Sequence, residues 1–179
     1  LDEEMTFGEQ YGDGELQEGQ IWESLISAAN MGLYEVCAIV DHNKLQSDTF
    51  VERTSALGDL EAKLKSFGWH VERANGHDFE DFSNALWRCQ QVATRPQIII
   101  AHTIKGKGVS FMEHTSLDSD VAQYRFHSAA PNTALYRQAV EELVARLYRK
   151  TEAQGILKVQ LEHAQAPERT AAGTPQKLV

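Results

Sequence analysis

The chain has 179 residues, 42% of them hydrophobic and 24% charged, with a formal net charge of −9. That length suits one domain with a sizeable core. The acidic balance excludes nucleic acid as the main partner, because phosphate backbones are met by a basic footprint, and no apolar run approaches the roughly 18 residues of a membrane span.

The opening LDEEMTFGEQ has no signal-peptide apolar region. Cys37 and Cys89 stand without a motif and read as buried thiols of a reducing, cytoplasmic compartment. Next comes YGDGELQEG, with Asp13 between Gly12 and Gly14. Asp-Gly serves hairpin turns, but it also serves loops that hold a metal ion against a phosphate. Residues 18–32 place Ile21, Trp22, Leu25, Ile26 and Ala29 at helical spacing, with Gly32 as a stop.

VCAIVD, Val36 to Asp41, is short, apolar and β-branched, as a strand buried on both faces should be. Leu57, Leu60, Leu64 and Phe67 predict a helix over Ala56–Phe67, closed by Gly68. Trp69 to Arg73 reads as a strand and Asn75-Gly76 as a turn. Asp78 is placed to cap a helix from Phe79 to Ala93, with Asp81 in place of the usual Glu of a capping box. QIIIAHT, Gln97 to Thr103, is a second buried-strand run after Pro96, and Leu135 to Tyr148 is an amphipathic helix. The last thirty residues, rich in Gln, Ala, Pro, Thr and Lys, read as a loosely ordered tail.

Helices alternating with short apolar strands predict an α/β fold, a parallel sheet flanked by helices. In such sheets ligands sit at the carboxyl ends of the strands. Asn43 follows VCAIVD directly, thirty residues after Asp13, which fits one strand-helix-strand unit. Both side chains then belong at one sheet edge. A carboxylate and an amide oxygen form part of a shell for a hard cation such as Mg²⁺, which takes six oxygens and completes its set with phosphate. The glycines let the backbone approach a diphosphate closely. The run Lys105-Gly-Lys-Gly lacks the spacing of a P-loop or of GxGxxG, so a general nucleotide binder ranks low.

GDG followed at this distance by Asn resembles the thiamine-diphosphate motif. The ordered set GDGELQEGQIWE, VDHNKLQ, FGWHV, NGHDF, HTIKGKGVSFME and YRFHSAAP resembles the N-terminal section of transketolases, over roughly Gly12 to Leu147. The resemblance implies the diphosphate-binding domain of the thiamin diphosphate-binding fold, spanning residues 12–150, with 151–179 as tail. It implies Mg²⁺ held by Asp13, the Asn43 side chain and the Leu45 carbonyl, with Gly12 and Gly14 making room for the diphosphate. It places Lys105 beside the cofactor and makes His127 an active-site histidine near diphosphate and sugar. Glu18 matches an acid at the interface between subunits. His70, His77, His102 and His114 carry structural readings only.

The sequence also departs from that family. The polar segment before GDG gives a weak or missing first strand, so residues 1–11 read as a remnant and the domain as incomplete at its N-terminus. The resemblance further implies a pyrimidine-binding domain with an activating glutamate, which the matching stretch, roughly Gly12 to Leu147, is not expected to supply. The expectation is therefore a transketolase-type, oligomeric subunit that binds Mg²⁺ and thiamine diphosphate. It would transfer a two-carbon ketol unit from a ketose to an aldose phosphate once a second transketolase subunit supplies that domain. The alternatives are a non-catalytic remnant or interaction module, and a thiamine-dependent enzyme of specialised metabolism. For the last, the pointers are Thr49, where many transketolases have Gly, and the long approach SLDSDVAQ to the histidine motif.

Overall fold

The computed structural model describes residues 6–117 and 123–155. Its centre is a four-stranded parallel sheet. The strands are β1 (Thr6–Gly12), β2 (Val36–His42), β5 (His70–Asn75) and β6 (Gln97–His102), and their spatial order is β1-β2-β6-β5. A short antiparallel pair, β3 (Leu45–Gln46) and β4 (Thr49–Phe50), stands outside it. The helices are α1 (Gly19–Asn30), α2 (Val51–Thr54), α3 (Leu60–Ser66), α4 (Phe79–Gln90) and α5 (Thr133–Ala153). The chain separates into two compact units, residues 1–143 and 144–179, and the sheet lies wholly in the first. Within the second unit, the described residues contain the last turns of α5.

The two-residue period of a strand sorts the apolar run of the middle strands between two faces. Ala38, Val40, Ile98 and Ile100 pack with Leu25 of α1, Leu60 and Leu64 of α3, and Trp69. Cys37, Ile99 and Ala74 pack with Ala85 and Cys89 of α4. Helices thus cover both faces, which is why β2 and β6 carry no polar alternation. Leu64 is fully buried, and burying such a side chain contributes about 1.5–3 kcal/mol.

The first strand corrects the sequence reading. A strand does precede Asp13: Thr6–Gly12 pairs with β2, with a register irregularity between Phe7 and Gln10. As an edge strand it is paired on one side only, and its pairing rests on backbone groups rather than on an apolar run. The helix expected over Ala56–Phe67 starts late. Gly58 has a φ of +61°, and the Asp59 side chain accepts from the Ala62 N–H to begin the helix at Leu60. Asp78 caps α4 as expected, accepting from the N–H groups of Glu80 and Asp81. Asp81 does not close a capping box. Its Oδ2 accepts from the Asn75 N–H at 2.7 Å and ties the end of β5 to the helix. α5 runs to Ala153, past the expected start of the tail; residues from 156 onward lie outside the described set, as do residues 118–122.

Register aligns the carboxyl ends of the strands. Gly12 pairs with Asp41, Asp41 with Ala101, and His102 with both His42 and Asn75. Asp13, Asn43, Gly76 and Thr103 therefore all leave the sheet along one edge.

Candidate functional site

Along that edge lies a cleft of about 1190 Å³. Gly12, Asp13, Gly14, Asn43, Leu45, Lys105 and His127 all line it, with Asp41, Gln46, Ser47, His77 and Thr103. The structure places every candidate cofactor- and metal-binding residue along this one cleft. Glu18 also lines the cleft; it precedes α1, is exposed, and makes no side-chain capping bond.

Asp13 is buried, with 1% of its surface exposed. A buried carboxylate is costly unless hydrogen-bonded, and two donors meet it. His42 Nδ1 lies 2.6 Å from Oδ1, and the Lys44 N–H donates to Oδ2. The Lys44 backbone is left-handed, with φ of 67°, a conformation that costs a non-glycine residue about 1–3 kcal/mol and recurs at functional sites. Here it aims the N–H at Asp13.

Asn43 is 7% exposed. Its Nδ2 donates to Asp41 Oδ2 at 3.1 Å, and its Oδ1 accepts from the Leu45 N–H at 2.9 Å. The second oxygen of Asp41 accepts from the Thr103 hydroxyl. Because a carboxylate only accepts, Asp41 fixes which end of the Asn43 amide is the nitrogen. The amide oxygen keeps a second lone pair. Carboxylate and amide oxygens are hard donors of the kind Mg²⁺ prefers, and Leu45 lines the same cleft. Among the described residues no group of three His, Cys, Asp or Glu side chains gathers for a metal ion. A cation here would rely on neutral oxygens and on those of a bound phosphate.

The glycines differ in what they require. A Cβ on Gly14 would stand 3.0 Å from Gln46 Cγ, whereas one on Gly12 would meet only Glu15 Oε2, at an ordinary 3.6 Å. The Gly12 N–H donates to that same oxygen at 2.7 Å, so the loop presents a backbone donor to an anionic oxygen.

On the other wall, Lys105 Nζ lies 3.2 Å from the Ser47 carbonyl and 3.0 Å from His127 Nδ1. It also stands 5.3 Å above the Tyr124 ring. Burial lowers the Lys105 pKa, with Asp41 and Asp48 opposing. The Lys105 N–H donates to His114 Nδ1 at 2.8 Å, and the His114 N–H returns a bond to the Lys105 carbonyl at 3.0 Å. Burial, followed by Lys44, lowers the His114 pKa against the pull of Glu113. Gly106 makes this loop possible: its φ is +76°, and a Cβ there would lie 2.1 Å from the Met112 carbonyl oxygen.

Sequence reasoning missed four contributors. His42 and His114 act on partners 29 and 9 residues away. The Ser47 carbonyl is a backbone group. Gln46 Oε1 is buried with no hydrogen-bond partner and belongs to a residue lining the cleft. The signal nearest to hand was VDHNKLQ itself, which holds His42 and Gln46 beside Asn43. His77 keeps its structural reading: its Nε2 accepts from the Ile104 N–H at 2.7 Å and braces the loop after β6.

Comparison with known proteins bears on the family and the fold. The sequence profile of the family described as "Transketolase, thiamine diphosphate binding domain" matches residues 4–131. The chain is 35% identical over 132 residues to the 6-deoxy-6-sulfo-D-fructose transketolase subunit SqwG of Clostridium sp. (strain MSTE9), covering 74% of this chain and 45% of that protein. It is 32% identical over 136 residues to an apulose-4-phosphate transketolase subunit of Phocaeicola vulgatus, covering 76% and 46%. The chain thus spans about half the length of these curated relatives. Among solved structures, the transketolase of Campylobacter jejuni superposes with a TM-score of 0.55 at 25% identity, covering 80% of this chain and 25% of that one.

Proposed function

The chain belongs to the transketolase family, through its thiamine diphosphate binding domain, and from that premise we propose that it holds Mg²⁺ and the diphosphate of the cofactor in the cleft at the carboxyl edge of the sheet. In this reading Asp13 and Asn43 hold the cation by their side chains and Leu45 by its carbonyl. Gly12 and Gly14 leave room for the diphosphate, and Lys105 and His127 face it from the opposite wall. The observation that carries the reading is that Asp13 and Asn43, one crossover apart in sequence, line the same cleft from neighbouring parallel strands.

When bound, thiamine diphosphate supplies the electron sink for moving a two-carbon ketol unit from a ketose to an aldose phosphate. The residues of this chain bind and orient. A lysine ammonium only donates, so His127 Nδ1 accepts from Lys105 and the ring proton sits on Nε2. His127 thereby offers a proton donor to a sugar oxygen.

Both curated relatives carry the word subunit in their names. That supports an assembly in which a second chain, bearing the pyrimidine-binding domain, completes an oligomeric enzyme. Their names point to different sugars, and the donor class of this chain is a sugar or sugar phosphate. Two free buried cysteines suit a reducing cytoplasm, and among the described residues no helix is long and apolar enough to cross a membrane. Mixing the chain with its partner, Mg²⁺ and thiamine diphosphate should give ketol transfer between sugar phosphates. A cognate partner that binds the chain but yields no transfer with any ketose would refute the catalytic reading.

A further inference from the structure

Beyond the cation ligands proposed above, on which this step rests, we infer that His42 is a positioning residue that fixes the Asp13 carboxylate for the ion. The two buried oxygens of Asp13 each take one protein donor, His42 Nδ1 on Oδ1 at 2.6 Å and the Lys44 N–H on Oδ2. A carboxylate offers about four acceptor sites, so each oxygen keeps a lone pair for a cation. Because the carboxylate only accepts, His42 donates through Nδ1.

Both donors flank Asn43 in the chain. One three-residue unit, His42-Asn43-Lys44, therefore presents the second ligand and clamps the first, which sets the spacing between them. The His42 ring is itself held. It meets the His102 ring edge-on, with centroids 5.3 Å apart, and Arg73 Nη1 stands 3.0 Å from His102 Nε2. Groups that orient a metal ligand in this way change metal affinity by about 10–100-fold when removed. A purely structural role would instead need the ring to fill space, with the N–H irrelevant to the ion.

The test uses Mn²⁺ as probe, read by electron paramagnetic resonance with thiamine diphosphate present, on the full chain. His42→Phe keeps a ring against His102 without the donor, and His42→Asn keeps a short side-chain N–H without the ring. Urea midpoints are measured on the same samples. The expected result is a loss of about 10–100-fold in Mn²⁺ affinity for His42→Phe and recovery of most of it in His42→Asn. His42→Phe binding Mn²⁺ like the parent, or His42→Asn binding as weakly as His42→Phe, overturns the inference. Asp13→Ala separates the two levels. If it binds Mn²⁺ as tightly as the parent, or the parent binds none, the cation site itself falls. If it loses Mn²⁺ while His42→Phe keeps it, only the role of His42 falls.

Discussion

Lys105 Nζ stands 3.0 Å from His127 Nδ1, across 22 residues of chain, and the same nitrogen reaches the Ser47 carbonyl at 3.2 Å. One cation thus ties together the turn between β3 and β4, the loop after β6 and the segment carrying His127. Burial works against that cation and lowers its pKa below 10.5.

The lowered Lys105 pKa gives a signed prediction. Between the folded value and 10.5 the unfolded chain binds more protons, so stability rises with pH in that window. Lys105→Met removes this slope. Denaturant midpoints of parent and variant, measured from neutral pH upward, should shift in favour of the parent as pH approaches 10.5. At neutral pH the variant should also bind thiamine diphosphate about tenfold or more weakly, as loss of a charged hydrogen bond of about 1.5–3 kcal/mol implies. Parallel midpoint curves would show that the burial of Lys105 carries no cost.

His102 and His114 predict the acid side. Both pKa values are lowered, each chiefly by burial; His102 is pushed further by His42, Arg73 and Lys44, and His114 by Lys44 and Lys105. Their ring nitrogens accept, from Arg73 at 3.0 Å and from the Lys105 N–H at 2.8 Å. Below 6.5 the unfolded chain takes up protons that the folded chain refuses, so stability should fall as pH drops from 6.5 through the lowered values. Urea denaturation between pH 7.5 and 5.5 checks this, and the double variant His102→Asn, His114→Asn should flatten the profile.

Gly106→Ala should destabilise the chain by about 2–3 kcal/mol. The backbone there is left-handed, and the added Cβ would meet the Met112 carbonyl oxygen at 2.1 Å and the Tyr124 hydroxyl at 2.8 Å. Because the displaced loop carries Lys105, cofactor affinity should fall with stability. An unfolding curve that superposes on that of the parent would contradict the described loop.

Much of this architecture could be read before any coordinates, and the rest was hidden for physical reasons. β2 and β6 announce themselves because burial on both faces forces an unbroken apolar run. β1 stays hidden because an edge strand paired through its backbone needs no such run. β3 and β4 have two residues each, too few for any period to show. Asp13 and Asn43 are legible by spacing, since one crossover returns the chain to the same edge. His42, His114 and the Ser47 carbonyl are not, because their value lies in partners that only the folded chain brings near.

Cys37 and Cys89 are fully buried in one cluster beneath α4. The Cys37 thiol is held low chiefly by its hydrogen bond with Cys89, and that bond with burial pushes Cys89 up. Buried thiols are inert toward thiol reagents. Ellman's reagent should therefore label neither in native buffer and both in denaturant. Rapid native labelling of either would contradict the packing of β2 against α4.

In the proposed site, Asp13 and Asn43 hold one divalent ion against the diphosphate. The decisive measurement is isothermal titration of thiamine diphosphate with Mg²⁺ into parent, Asp13→Ala and Asn43→Ala. The parent should bind in a Mg²⁺-dependent way, and Asp13→Ala should lose more than the roughly 10–100-fold typical of an outer-shell change. Asn43→Ala, which removes a neutral ligand, should lose less. Binding by both variants equal to that of the parent would contradict this site.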